Sequence, residues 1–323
     1  MIGTDATPNR LEQTGAVIVT GIEVALAVRC ARSLAVDLPP ERIVVVVNPP
    51  GAAAEVLAEL EQFAQVVRNA DPDGYGACLN RGADMLPPEV ELILLLNDDV
   101  VVDPHGLRTL VEALVERSDV AVVGPNLIGE DGVAQETVFR FPSVRSELAQ
   151  AAILPQRLHR ALRGRYAAQA DPSGHRYVDW VLGAALLVRR EAFRQAGGFD
   201  ERFVFYSEET DLCRRLLRSG WRTLSCGEAT FVHVGAASTS RGTEVAQRFG
   251  EMMGASRRLY ARIHWNRARR LSLALATAGV LVWNVAYVLA RVAAAPRTSS
   301  AKFDLLRTRW AGRPSLQSRR DAQ

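Results

Sequence analysis

Glu91 to Asp103 reads ELILLLNDDVVVD, and the change of character inside that stretch decides the fold. Leu92 to Leu96 are apolar without interruption, which marks a short strand covered on both faces, as in the interior of a parallel sheet. Asn97, Asp98 and Asp99 follow at its carboxyl end, the edge of an open α/β sheet where ligands bind. Two neighbouring carboxylates leaving a buried strand repel each other and lose hydration unless a cation or hydrogen-bond donors compensate. A divalent metal holding a diphosphate would meet that need. Alternatively the pair only ends the strand, while Asp103 caps a helix that begins at Pro104.

Upstream, strands and helices alternate. Ala16 to Thr20 is a β run, Ile22 to Val36 has helical spacing, and Arg42 to Val47 (RIVVVV) is a second buried strand. Pro49-Pro50-Gly51 breaks the chain before a helix over 52–62 and a brief strand over 65–68. Asp73 to Met85 (DGYGACLNRGADM) is a Gly-rich turn opening a helix. Its Gly74-x-Gly76 begins a dinucleotide fingerprint, but Leu79 stands where the third Gly is required. Downstream, a helix over 104–117, a strand over 120–123 and a tight turn at Gly129–Gly132 are expected. The alternation implies a mostly parallel, doubly wound half. Phe141 to Ala170, Arg-rich and Pro-punctuated, reads as a partly helical excursion over the ligand edge.

Composition bounds the function. With 48% hydrophobic and 23% charged residues over 323 positions the chain is globular, and a net charge of +3 is too small to point to nucleic acid. Cys30, Cys78, Cys213 and Cys226 lack metal-site spacing and read as reduced, buried thiols. Residues 1–15 show no basic start followed by an apolar stretch, and are expected to be a disordered lead-in.

The second half is denser in signals. Val181 to Val188 reads as one strand containing Gly183, where a missing side chain allows close approach. A short helix over 190–196 is ended by Gly197-Gly198, and Ser207 is placed to cap the helix that Gly220 stops. Glu208, Glu209 and Asp211 therefore crowd a first helical turn. The helix dipole favours acids there, yet three exceed what it needs, and their repulsion would raise at least one pKa, as in a general base.

The strand end NDD together with GGFDERFVFYSEETDLCRR, Gly197 to Arg215, resembles the inverting family 2 glycosyltransferases of the GT-A fold, in their rhamnosyltransferase-like branch. The supporting motifs are Asn97-Asp98-Asp99, Trp180 with Gly183, Gly197 to Glu201, Glu208 to Leu212, and His233 followed by Ser238-Thr239. The resemblance implies a Rossmann-like α/β domain with a mostly parallel central sheet and a small antiparallel part. It implies that Asp99 and His233 bind Mg²⁺ or Mn²⁺ on a nucleotide-diphosphate sugar, in line with the few protein ligands Mg²⁺ usually takes. Glu209 would be the catalytic base, with Glu208 as fallback. Thr20, Asn48, Asn80, Asn97, Asp98 and Gly183 would line the donor site, and Trp180 and Asp211 the acceptor site. Asp211 would hold the helix start or neighbouring Arg214, and Trp180 is either a sugar platform or a core anchor. The N-terminal half departs from the family. Thr20-Gly21 stands in place of its aromatic-Asn pair, and Val47 in place of an Asp that helps hold the nucleotide.

Leu271 to Ala290 carries no charge and is just long enough to span a bilayer. Arg270, Thr277, Asn284 and Arg291 recur every seven residues along one face, which suits a helix lying in the membrane interface. The Arg-rich stretch after it opposes export. The expected organisation is a lead-in over 1–15, a GT-A domain over 16–240 and a C-terminal helical, membrane-associating segment with a basic tail over 241–323. The expected function is hexosyl or deoxyhexosyl transfer, rhamnosyl first, to a cell-envelope glycan or lipid-linked acceptor at the cytoplasmic face of the membrane. The competing reading is a non-catalytic binding or scaffold subunit with a degenerate donor site.

Overall fold

The computed structural model describes residues 10–294 apart from 22, 50–52, 152–165 and 236–241. Ser238, Thr239 and the basic tail lie outside the described residues, as does the start of the lead-in. The lead-in itself ends earlier than expected. Arg10–Gln13 form a 3-10 turn, and Arg10 bonds to Gln13 at 2.7 Å and to Glu91 at 2.9 Å, so Thr14 and Gly15 already belong to the first strand.

The chain divides into two compact units: residues 1–141 with 167–235, and residues 142–166 with 236–323. The first unit holds the sheets. Strands β1 (Thr14–Thr20), β2 (Ile43–Val47), β3 (Gln65–Arg68) and β4 (Leu92–Asn97) are parallel and ordered β3-β2-β1-β4. β1 and β2 are buried over their whole length, and β4 over Leu92 to Leu96. That is why these segments read as unbroken apolar runs, with alternate residues feeding two cores. Ala16 and Ile18 join the core formed with α1 (Val24–Leu34), α2 (Ala54–Leu60) and α4 (Pro104–Val115). Val17 and Val19 join the opposite core, formed with α3 (Tyr75–Met85). Asp103 caps α4 as expected, its carboxylate accepting from the Gly106 N–H at 2.7 Å.

Beyond β4 come β5 (Val100–Val101), β6 (Val120–Ile128) and β7 (Glu136–Phe139). β6 runs five residues past the expected Val123 before the turn at 129–132, where the Gly132 N–H donates to Gly129 O at 2.9 Å. β8 (Ala167–Gln169), β9 (His175–Val178), β10 (Trp180–Val181) and β11 (Ala185–Arg189) follow. Next are the helices α6 (Arg190–Gln195) and α7 (Glu208–Arg218), and then the long strand β12 (Arg222–His233). The central sheet continues β4-β11-β6-β12-β5, with β9 also on β12. β11, β5 and β9 are antiparallel to their neighbours, while β6 and β12 are parallel. β10, β7 and β8 form a separate antiparallel sheet. A mostly parallel central sheet with a small antiparallel part is the expected architecture.

Two local expectations are corrected. The run 181–188 is two strands in different sheets, because the chain turns at Gly183 and Ala184. The Leu182 N–H goes to Thr137 O in the small sheet, and Ala184 O accepts from the Asn97 N–H in the large one, each at 3.0 Å. Ser207 does not cap α7 with its hydroxyl. It and Tyr206 adopt left-handed backbone, φ 70 and 69, and Ser207 serves the helix through its backbone, its carbonyl accepting the Asp211 N–H. The four cysteines are free and buried, as expected.

The second unit contains α5 (Val144–Ala151), α8 (Gly242–His264) and α9 (Arg267–Ala294), with α9 packed along α5.

Candidate active site

Register brings the site together. Thr20 lies opposite Val47 and Val19 opposite Asn97, so the chain leaves β1, β2 and β4 at one level of the sheet edge. The Thr20 hydroxyl donates to Asp98 at 2.6 Å. Burial pushes the Asp98 carboxyl up to about 6, against the Thr20 bond and helped by the charge of Asp99. Of the two strand-end carboxylates, Asp98 therefore has its hydroxyl donor.

Asp99 is placed differently. The short β5 behind it pairs with the end of β12, His233 opposite Val100 and the Val234 N–H on Asp99 O at 3.0 Å. His233 Nε2 consequently lies 3.3 Å from Asp99 Oδ1, yet that buried oxygen makes no hydrogen bond. A buried carboxylate oxygen without a donor calls for a cation. The donor set, one carboxylate oxygen beside one imidazole nitrogen, suits Mn²⁺ or Mg²⁺ completed by phosphate and water oxygens. Among the described residues no cluster of three or more His, Cys, Asp or Glu side chains could hold a metal, so an ion here would depend on those external oxygens. The ring's other nitrogen, Nδ1, lies 2.7 Å from Gln135 Oε1.

The acidic turn of α7 is buried: Glu208 is 5% and Glu209 7% exposed, and each has one carboxylate oxygen with no partner. Burial pushes Glu209 up to about 7. Burial and the neighbouring charge of Glu209 push Glu208 well above the ordinary carboxylate range. Gly183 lies against this side chain: a Cβ there would stand 3.4 Å from Cγ and Cδ of Glu209. Tyr75, absent from the expected set, reaches the same loop, its hydroxyl 3.5 Å from Gly183 O. Its phenol is pushed well up by burial and then by the charges of Glu208, Asp98, Asp99 and Glu209. One hydroxyl thus lies in the field of all four carboxylates, which ties the two acidic clusters into one site.

Other expected residues have structural partners. Asn80 turns away from the sheet edge toward the 198–201 turn: its amide donates to Phe199 O and Glu201 at 3.0 Å each, and its oxygen accepts from the Phe199 N–H at 2.9 Å. Asn48 donates to Asp73 O at 3.0 Å and accepts from Asn69 at 2.7 Å. Asp211 is fully buried and paired at 2.7 Å with Arg215, one residue beyond the expected Arg214. Arg214 lies instead over the Phe141 ring. Trp180 stacks on Phe139 at 4.2 Å between ring centres, and its indole N–H donates to Arg140 O. Asn97 is half-buried, at the end of β4.

Residues 13–312 match the family described as glycosyltransferase-like family 2. The chain belongs to that family. It is 31% identical over 177 residues to the N-acetylglucosaminyl-diphospho-decaprenol L-rhamnosyltransferase of Mycobacterium tuberculosis, covering 52% of this chain and 58% of that protein. It is 28% identical over 138 residues to rhamnosyltransferase WbbL of Escherichia coli, covering 42% and 49%. The chain therefore spans about half the length of these curated relatives. Among solved structures, the mannosyltransferase PcManGT of Pyrobaculum calidifontis, in complex with GDP-Man and Mn²⁺, aligns over 92% of this chain and 79% of its own, with TM-score 0.53 and 15% identity. That likeness identifies the fold as GT-A.

Two positions in this family 2 site were not among the expected site residues. Tyr75 did carry a signal, since Gly74, Tyr75 and Asn80 are what survives of a family element between Asp71 and Asn80. Gln135 carried none, because its partner is 98 residues away.

Proposed function

We propose that the chain is a metal-dependent, inverting glycosyltransferase that moves a hexosyl or deoxyhexosyl group, rhamnosyl first, from a nucleotide-diphosphate sugar to a hydroxyl of a cell-envelope glycan or lipid-linked acceptor. The observation that carries this reading is a carboxylate-imidazole pair, Asp99 with His233, and a buried carboxylate, Glu209, pushed up to about 7, both carboxylates acting on the one Tyr75 hydroxyl. Both relatives are named rhamnosyltransferases, which supports the choice of sugar, and the diphospho-decaprenol in the mycobacterial name supports a lipid-linked acceptor.

In this reading Glu209 takes the proton of the acceptor hydroxyl as that oxygen attacks the anomeric carbon. The bond from carbon to the diphosphate breaks on the opposite face, its electron pair leaves with the nucleotide diphosphate, and configuration inverts. A pKa near 7 keeps a useful fraction of Glu209 ionised while leaving it basic enough to accept the proton. Asp99 and His233 would hold Mg²⁺ or Mn²⁺, which supplies positive charge to the leaving diphosphate. Thr20 holds Asp98 in place beside them. Tyr75 keeps water away from the base, and Trp180 flanks the acceptor.

The membrane reading draws on α9. Arg267–Leu289 is long and apolar enough to cross a membrane. Leu273, Ala276 and Val280 on one side of α9 are half-buried, whereas Leu271, Leu275, Val282, Val285 and Leu289 on the opposite side are exposed. Thr277, part of the polar stripe, returns its hydroxyl to Leu273 O. A helix covered on one side and apolar on the other suits insertion into the headgroup boundary, with the exposed Arg267 and Arg270 at its start to meet anionic lipid. We place the enzyme at the inner face of the cell membrane on these grounds.

The scaffold reading has its own support: Val47 is 2% exposed and apolar, and Asn48 is held by neighbouring residues. Calorimetric titration with UDP, dTDP and GDP, with Mn²⁺ and with chelator, separates the two. Metal-dependent binding of one nucleotide supports the transferase, and binding of none supports the scaffold.

A further inference from the structure

Gln135 makes two bonds to a single residue. Its Nε2 donates to the backbone oxygen of His233 at 2.9 Å, and its Oε1 lies 2.7 Å from His233 Nδ1. The first bond determines the chemistry of the second. A backbone oxygen only accepts, so the carboxamide must present its NH₂ there and its oxygen to the ring. An oxygen facing Nδ1 at that distance requires the proton to be on Nδ1. We propose that Gln135 is a positioning residue that holds His233 as the Nδ1–H tautomer, and so keeps the lone pair of Nε2 free for a divalent cation beside Asp99.

The surroundings support the assignment. Nε2 lies 3.3 Å from Asp99 Oδ1, which makes no hydrogen bond although it is buried. Two acceptors facing each other across a buried gap repel unless a cation lies between them. Gln135 is itself fixed, since its N–H donates to Leu127 O at 2.8 Å and so returns the chain from the 129–132 turn at a set level on β6. Beyond His233 the chain leaves through Gly235 at φ 61, where a Cβ would meet Gln135 Nε2 at 3.5 Å. Metal-bound histidines commonly donate their second nitrogen to such a partner, which fixes ring orientation and tautomer. The inference rests on the metal-dependent reading above, and adds which nitrogen ligates and which residue dictates it.

The test uses the full chain with ¹⁵N-labelled histidine and two-bond ¹H–¹⁵N correlation spectra taken without metal, His233 being assigned through His233→Gln. Mn²⁺ alone is then titrated by electron paramagnetic resonance. The wild type should show His233 with its proton on Nδ1. Gln135→Leu, which removes the acceptor, should lose that tautomer and weaken Mn²⁺ binding about 10- to 100-fold. Gln135→Glu keeps an acceptor and should retain both the tautomer and most of the affinity, a rescue that simple packing would not produce. A proton on Nε2 in the wild type overturns the proposal whether or not the variants fold. So does a Gln135→Leu protein with unchanged tautomer and affinity. A wild type that shows Nδ1–H yet binds no Mn²⁺ refutes the metal reading itself, and with it the purpose assigned to Gln135. The spectra need no metal, so the two failures are distinguishable.

Discussion

Glu209→Gln should produce a protein that is relatively more stable at high pH and catalytically dead. Burial pushes the native Glu209 carboxyl from 4.5 up to about 7. Its native pKa is thus above the unfolded one: between these values the native state keeps a proton that the unfolded chain has released. Stability is therefore fully present below about pH 4.5 and is lost as pH rises through 7. At about 1.4 kcal/mol per pKa unit the loss amounts to about 3 kcal/mol. Glutamine is neutral at every pH and close in shape, so the substitution's packing and hydrogen-bond cost is the same at both ends of the range. It also removes the charge that helps to raise Glu208, an effect of the same sign. Urea unfolding of wild type and variant, followed by tryptophan fluorescence without metal or donor, should show the stability difference moving about 3 kcal/mol in the variant's favour between pH 4.5 and 8. Transfer, assayed with the donor identified by calorimetry, should fall about 10²- to 10⁴-fold because an amide cannot take the acceptor's proton. Unfolding curves whose separation does not change with pH would refute the buried, raised carboxylate. A variant that transfers at the wild-type rate would pass the role of base to Glu208 or another group.

Ser207→Gly should stabilise the protein by about 1 kcal/mol in chemical denaturation, since a non-glycine residue at φ 70 carries backbone strain that glycine does not. Asn80→Ala frees the Phe199 N–H and carbonyl and Glu201 together. It should cost about 1–3 kcal/mol in the same measurement, and lower turnover more than nucleotide affinity, because the released turn leads into α7 rather than into the sheet edge. Val282→Asp places a charge on the exposed face of α9, where the native residue is 70% exposed. It should weaken sedimentation with anionic vesicles by about tenfold or more, without changing nucleotide binding.

What could be read from the sequence was whatever the chain decides locally. The run Leu92–Leu96 gave the central strand, Asp103-Pro104 gave the start of α4, and Gly197-Gly198, at φ 77 and 69, gave the end of α6. Misread positions are those where a distant partner overrides local preference. Ser207 is a good capping residue type, but the Tyr75 N–H holds Val204 O at 2.9 Å and the chain comes out of that contact left-handed at 206 and 207. The apolar run 181–188 looks like one strand, yet its two ends hydrogen-bond to different sheets. Asn80 matched a motif position, but its amide meets Phe199, 119 residues away. Asp211 matched as well, and its partner was settled by the helical i,i+4 spacing to Arg215.

These long-range contacts explain how a costly site persists. Tyr206 and Ser207 are strained, Glu208 and Glu209 each carry a buried oxygen without a partner, and Asp99 has a third. None of these features stabilises the fold, so the surrounding structure must over-determine them. The turn before α7 is held from two sides: Asn80 on α3 grips Phe199, and Arg215 on α7 donates to Gly198 O at 2.8 Å while pairing with the buried Asp211. Those contacts fix the start of the 199–207 segment against α3 and α7, and the Tyr75 N–H on Val204 O fixes its middle, so its left-handed residues and the buried Glu208 and Glu209 follow from held points. Asp211 thus contributes through Arg215, by helping to hold the turn that leads into the buried Glu209, whose pKa burial keeps high.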